Sequence, residues 1–180
     1  MNEEIISSPR TFRIDADVMR GLEEEAKKQG ATVNGLTCRI LRKYVKIGTK
    51  LEQFNILCMP KKDLVGLINS IDDSTIAKLS TCMGATTAKE IVLQLYGDLS
   101  VQTFKLFLSM FICSYANWGS YYEEEKDEKV EIRIAHSLGD KWSLYLKNYL
   151  EAASVEVTGQ KPDFKYVSGY SIILHIMNKK

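Results

Sequence analysis

The stretch PRTFRID at residues 9–15, followed by ADVMRGLEEEAKKQ at 16–29 and GATVNGLTCRILRKYV at 30–45, decides how this chain is read. Arg10 to Asp15 alternates: Phe12 and Ile14 point one way, while Thr11, Arg13 and the preceding Pro9 point the other. A six-residue strand with one apolar face cannot persist alone, because its edges and its greasy side both need a partner. No second strand follows in the next thirty residues. The economical solution is pairing with the same segment of a second copy, which would bury Phe12 and Ile14 and turn Thr11 and Arg13 outward. A two-stranded ribbon of that kind fits the major groove of DNA. Behind it, Val18, Leu22 and Ala26 recur at four-residue spacing with Met19 beside them, and Glu23 to Glu25 mark the wet face, so a helix is expected from Asp15 or Ala16 to about Gln29. Gly30 ends it and Thr32 caps a second helix with apolar positions Leu36, Ile40, Leu41, Tyr44 and Val45.

The charge of the whole chain, +1 over 180 residues, announces no nucleic-acid partner, but its distribution does. Residues 1–50 carry a net +3 and the remainder −2, and from Thr32 to Lys50 there are five basic residues and no acidic one. A local basic face governs phosphate attraction more than the overall balance does. The four cysteines (38, 58, 82 and 113) stand singly, without a CxxC pair, which points to a reducing compartment. No apolar signal core opens the chain, and the longest greasy run, Leu106 to Ala116, is too short to span a bilayer. The expectation is a cytoplasmic, nucleoid-associated protein with no membrane contact.

Ile47 to Lys50 reads as a boundary between residues 1–50 and a domain of residues 51–180. In the latter, a strand is expected over 54–59 and helices over about 61–70, 73–83, 86–97 and 100–116. Asp73 or Ser74, Thr86 and Ser100 are the candidate caps of the last three. Tyr121 to Lys129 reads as a charged surface loop. It leads to a strand at 130–136, a helix at about 141–155, and strands at 163–167 and 170–177 joined by a Ser168-Gly169 turn. The overall class is α+β with a small sheet. The nearly all-apolar face from Phe104 to Tyr115, broken by Lys105, belongs either at this domain's centre or between subunits, the first being favoured.

Taken together, residues 9–45 resemble a ribbon-helix-helix domain of the Arc, MetJ and CopG kind. The resemblance rests on the strand, the V…L…A helix, the Gly30-Ala31-Thr32-Val33-Asn34 turn and the apolar second helix ending in Tyr44. It covers about a fifth of the chain. It implies a homodimer, or a higher oligomer built from one, on double-stranded DNA. Thr11 and Arg13 then read base edges, with Arg10 taking over from Pro9, which stands where some members carry a polar base reader. Thr32, Val33 and Asn34 would clamp a phosphate at the second helix's start, and Lys27, Lys28, Arg39 and Lys43 would add sequence-blind attraction. Gly21 and Gly35 depart from good helix chemistry unless they permit close packing. The plainer alternative is a β-α-α segment whose strand joins a larger sheet and whose Arg13 is merely solvated.

In residues 51–180, His136, Gly139, Lys141, Trp142 and Ser143 form a strand end, a turn and a helix start. They could frame a pocket for a small anionic effector, with His136 as hydrogen-bonder and Lys141 as counter-charge. The competing reading is a core histidine on a backbone carbonyl with Trp142 as packing. His136, His175 and Cys58 match no metal-ligand spacing, and the His-rich pattern of the family's nickel-responsive member is absent. No metal and no cofactor are expected. No phosphate-binding Gly-rich loop or GxSxG motif suggests an enzyme. The expected function is a transcriptional regulator, a repressor, whose α+β domain senses or assembles. The alternatives are an antitoxin whose residues 51–180 engage a protein partner, and a ligand-binding or scaffolding dimer that does not bind DNA.

Overall fold

The structure, a computed structural model, describes residues 8–49, 54, 59–126 and 128–178. The chain separates into two compact units divided between Gln53 and Phe54, three residues beyond the boundary expected from the sequence. The expected strand at 54–59 lies largely outside the described residues.

The N-terminal unit is helical. Helix α1 runs Ala16–Lys28 and α2 Val33–Lys43, continuing as a π-helical turn over Tyr44–Gly48 through the residues expected to form the boundary. Gly30, at φ +61°, lets the chain leave α1: its N–H bonds to the Lys27 carbonyl, and the Ala31 N–H bonds to that of Ala26. This double closure needs a left-handed residue. The Thr32 hydroxyl then accepts from the Gly35 N–H at 3.0 Å, and a Cβ on Gly35 would stand 3.0 Å from that hydroxyl oxygen, so Gly35 suits the cap. Gly21 has no such reason within one chain, since nothing lies within 4 Å of where its Cβ would be. Residues 8–15 form no strand with any described part of the chain.

The C-terminal unit is α+β. Its helices are α3 Lys61–Asn69, α4 Asp73–Ala85, α5 Thr87–Tyr96, α6 Val101–Leu106 with a π-helical extension Phe107–Tyr115, and α7 Asp140–Thr158. The sheet is fully antiparallel in the order β1 (Ser120–Lys126), β2 (Lys129–Ala135), β4 (Ser171–Met177), β3 (Asp163–Ser168). Val130, Ile132, Ile134, Ile172, Leu174 and Ile176 alternate onto one buried face. Phe104, Phe107, Leu108, Ile112, Leu146 and Leu150 complete the core at 0% exposure, so the apolar helix is interior to this unit. Asp72, one residue before the expected caps, closes α4 by accepting from the Thr75 N–H, and Ser100 and Thr103 form a reciprocal capping box on α6. Residues 169 and 170, rather than 168 and 169, make the turn between β3 and β4.

The acidic run at 121–126 is a strand and not a loop. Glu123 and Glu125 share a sheet face with Ile132 and Val130, their partners on β2, although at this edge the Glu125 side chain stays 61% exposed and that of Glu123 25%. Lys105, 11% exposed at its side chain, meets both: it is ion-paired to Glu123, and to Glu125 at 3.3 Å. Charge on an edge strand also discourages pairing with a stray strand. Lys105→Ala, which leaves the Glu123 carboxylate, a quarter exposed, without its ion-pair partner, is expected to cost about 2 kcal/mol, seen as a lower urea midpoint. Lys105→Met combined with Glu123→Gln should recover at least half of that loss. Equal midpoints for Lys105→Ala and wild type would contradict the pairing.

Candidate functional site

Unit one leaves large apolar side chains in solvent. Phe12 is 69% exposed, Val45 68%, Val18 52% and Tyr44 51%, with Ile40 and Leu41 close to half exposed. Among its described residues only Ala26, Leu36 and Ile47 are buried apolar groups. Of the expected base readers, Thr11 and Arg13 are exposed, and Arg10 is exposed with one guanidinium nitrogen 3.3 Å from the Pro9 carbonyl. Thr32 is spent on its cap, while the Val33 and Asn34 amides open α2 where no intrahelical acceptor precedes them. Lys28 reaches Glu25 at 3.7 Å, and Arg39 donates to the Gln29 side chain at 2.6 Å, so both basic groups are partly engaged within the unit. Lys43 lies in the last turn of α2.

In unit two the sequence-predicted pocket residues divide among different tasks. His136 follows the end of β2, half-buried, with its N–H on the Tyr170 carbonyl. Its Nδ1 accepts from the Leu138 N–H at 3.3 Å, which leaves Nε2–H to donate to the Ser143 hydroxyl at 3.0 Å. The Ser143 hydroxyl in turn donates a hydrogen bond to the Ser168 carbonyl at 2.6 Å. The chain of bonds therefore ties β2, the first turn of α7 and the β3–β4 turn together. Its polarity is opposite to that of a serine activated by a base, because the imidazole donates and does not accept. Burial, and then the nearby Lys61, hold the imidazole below its ordinary value, in keeping with a neutral ring. Lys141 donates to the carbonyls of Ile71 and, at 3.2 Å, Asn69, so it caps the end of α3. Trp142 packs edge-on against Trp118 at 5.1 Å and stacks on Tyr145 at 5.0 Å, within a core of Ile68, Ile76 and Leu138. Gly139, at φ +85°, forms the turn before α7.

This latch makes a pH prediction. The unfolded imidazole takes up a proton near pH 6.5, and the folded one only at lower pH. The latch's contribution is thus complete above about pH 6.5 and falls as the solution is acidified from there toward the folded value. Urea midpoints should drop between pH 7.5 and 5.5 by more in wild type than in His136→Gln; equal drops would contradict it. Ser143→Ala, which unpairs the ring N–H and the Ser168 carbonyl, should cost about 2 kcal/mol.

Among the described residues, two of the clefts on unit two are lined by polar groups. The larger, about 640 Å³, is lined by Lys126, Glu128, Lys129, Glu131, Lys165 and His175. Its charges are largely satisfied: Glu131 pairs with Lys126 and with His175, each at 3.0 Å, and Lys165 with Asp163. The smaller, about 270 Å³, lies beside His136 and is lined by Lys61, Asn117, Ser120 and Ser137, with Gly119 and Ala135. Apart from His136 and its neighbour Ser137, none of these residues stood out in the sequence. The only local signal is the Asn117-Trp118-Gly119 break between helix and strand. No three His, Cys, Asp or Glu side chains among the described residues converge as a metal site. His175 shares the outward sheet face of Glu131, whereas His136 continues the inward parity of Ile132 and Ile134. No described helix is long and apolar enough to cross a membrane.

Comparison with protein-family models, curated proteins and solved structures gave no match.

Proposed function

We propose that this chain is a sequence-specific DNA-binding transcriptional regulator, a repressor, that acts as a homodimer. In this reading the segments around residues 10–15 of two copies pair as a ribbon in the major groove. The observation that carries the reading is an incomplete core. The N-terminal unit exposes Phe12, Val18, Ile40, Leu41, Tyr44 and Val45, and its alternating segment has no ladder partner among the described residues of its own chain. A body of some fifty residues that buries so little apolar surface gains too little to hold its fold unaided. A second copy supplies both the missing strand and the missing core. Thr11 and Arg13, both exposed, then read base edges, and the Val33 and Asn34 amides with the basic residues of α2 hold the backbone.

The C-terminal unit is the sensing or assembly module. An antitoxin-like tail that folds only on its protein partner fits less well, because Phe54–Lys180 is a compact unit with its own buried core. Selection of bound sequences from random DNA with the purified full chain tests the reading. Enrichment of half-sites at one fixed spacing is expected, and recovery of unenriched DNA would count against it.

A further inference from the structure

We propose that the cleft beside His136 binds a small oxyanion, a phosphate or carboxylate group, through Lys61, the Asn117 amide and the Ser120 and Ser137 hydroxyls. Three segments remote in sequence meet there: the start of α3, the loop into β1 and the end of β2. The fold makes the convergence specific. Asn117 holds φ +56°, and a Cβ on Gly119 would stand 2.5 Å from the Ala135 carbonyl oxygen, so only glycine lets this loop lie flat against the end of β2. Trp118, between them, is anchored on Trp142 and Tyr149, and α3 packs Leu64, Val65 and Ile68 around the same aromatic group.

The chemistry of the lining selects the charge of the ligand. No carboxylate lines this cleft, and Lys61 has no acidic partner within ion-pair distance among the described residues. Both nitrogens of His136 are occupied within the protein, so Lys61 supplies the cleft's positive charge, and its field already disfavours a second one on the ring. The larger cleft differs on this point, since Glu128 and Glu131 line it and two of its three lysines, Lys126 and Lys165, are ion-paired to carboxylates. A volume of about 270 Å³ admits a phosphate or carboxylate with a short organic tail.

The site does not depend on DNA binding, so its test is separate from that of the regulator reading. The full chain, labelled with ¹⁵N, is titrated with inorganic phosphate and with acetate at constant ionic strength, with chloride as reference. Saturable shifts of the Gly119, Ser120 and Ser137 amides are expected with at least one of the two anions. Saturation by phosphate alone identifies a phosphate group, and by acetate alone a carboxylate. Lys61→Met should weaken that binding at least tenfold, whereas Lys62→Met, which removes the same charge from the adjacent position outside the lining, should leave it within twofold. Shifts that never saturate, that chloride reproduces, or that persist unchanged in Lys61→Met overturn the proposal.

Discussion

Arg13→Ala is expected to abolish selective binding to the operator while the dimer and its helical content stay intact. Arg13 is exposed, and in the proposed ribbon its side chain would fall on the face opposite Phe12 and Ile14, which a second copy would cover. Each arginine–guanine contact is worth about 1–3 kcal/mol, and a dimer makes two. The loss is therefore about 2–6 kcal/mol, or roughly 30-fold to 10⁴-fold in Kd. Fluorescence anisotropy on a selected operator and on scrambled DNA separates the effects: only the operator affinity should fall. Phe12→Asp supplies the contrast. It places a charge where 69% of a phenylalanine now meets solvent, and should lose dimer mass and operator binding together. An Arg13→Ala protein that holds its operator as tightly as wild type would remove the ribbon as the reader.

Gly84→Ala is expected to produce a large loss of stability in unit two. A Cβ at position 84 would sit 2.3 Å from the carbonyl oxygen of Tyr149 and 3.0 Å from its Cα, so α4 and α7 cross backbone against backbone at this point. No side chain can rotate away. The helices must separate, opening the packing on both sides of the contact, at a cost of about 3 kcal/mol. Gly66, within α3, gives the opposite sign: nothing lies within 4 Å of its Cβ position, so Gly66→Ala should stabilise by about 0.5–1 kcal/mol through helix propensity. Urea midpoints of the two variants moving in the same direction would contradict the helix-crossing account.

Much of the architecture was legible because local chemistry and global fold agree. Gly30 ends its helix because, lacking a Cβ, it takes a positive φ, Thr32 and Ser100 start theirs through their hydroxyls, and the alternation of Val130, Ile132 and Ile134 matches the buried face of β2. β1 was not legible. Its positions on the sheet face of Ile134, Ile132 and Val130 are Tyr121, Glu123 and Glu125, so no apolar period of two appears, and the compensating charge on Lys105 comes from a helix some twenty residues earlier. A cap one residue early, Asp72 in place of Asp73, has a similar cause: three adjacent residues of cap type differ only in backbone geometry.

The candidate sites divided along the same line. His136 stood out as a polar residue on an apolar parity, and it does hold a part-buried hydrogen-bond network. Its neighbours in sequence, however, serve other ends, Lys141 on the end of α3 and Trp142 in the aromatic core. The residues that share its cleft, Lys61 and Asn117 among them, are brought there by tertiary packing that no spacing rule reveals. In the N-terminal unit the sequence shows an alternating segment with no partner strand predicted nearby, and the structure leaves Phe12 and Val45 exposed.

Isotope-filtered NOE spectroscopy on a dimer mixed from ¹³C,¹⁵N-labelled and unlabelled copies probes the shared ribbon itself. Contacts are expected between residues 10–15 of one copy and residues 10–15 of the other, in an antiparallel register about a two-fold axis. A monomer in solution, or contacts from this segment to its own chain alone, would contradict the account.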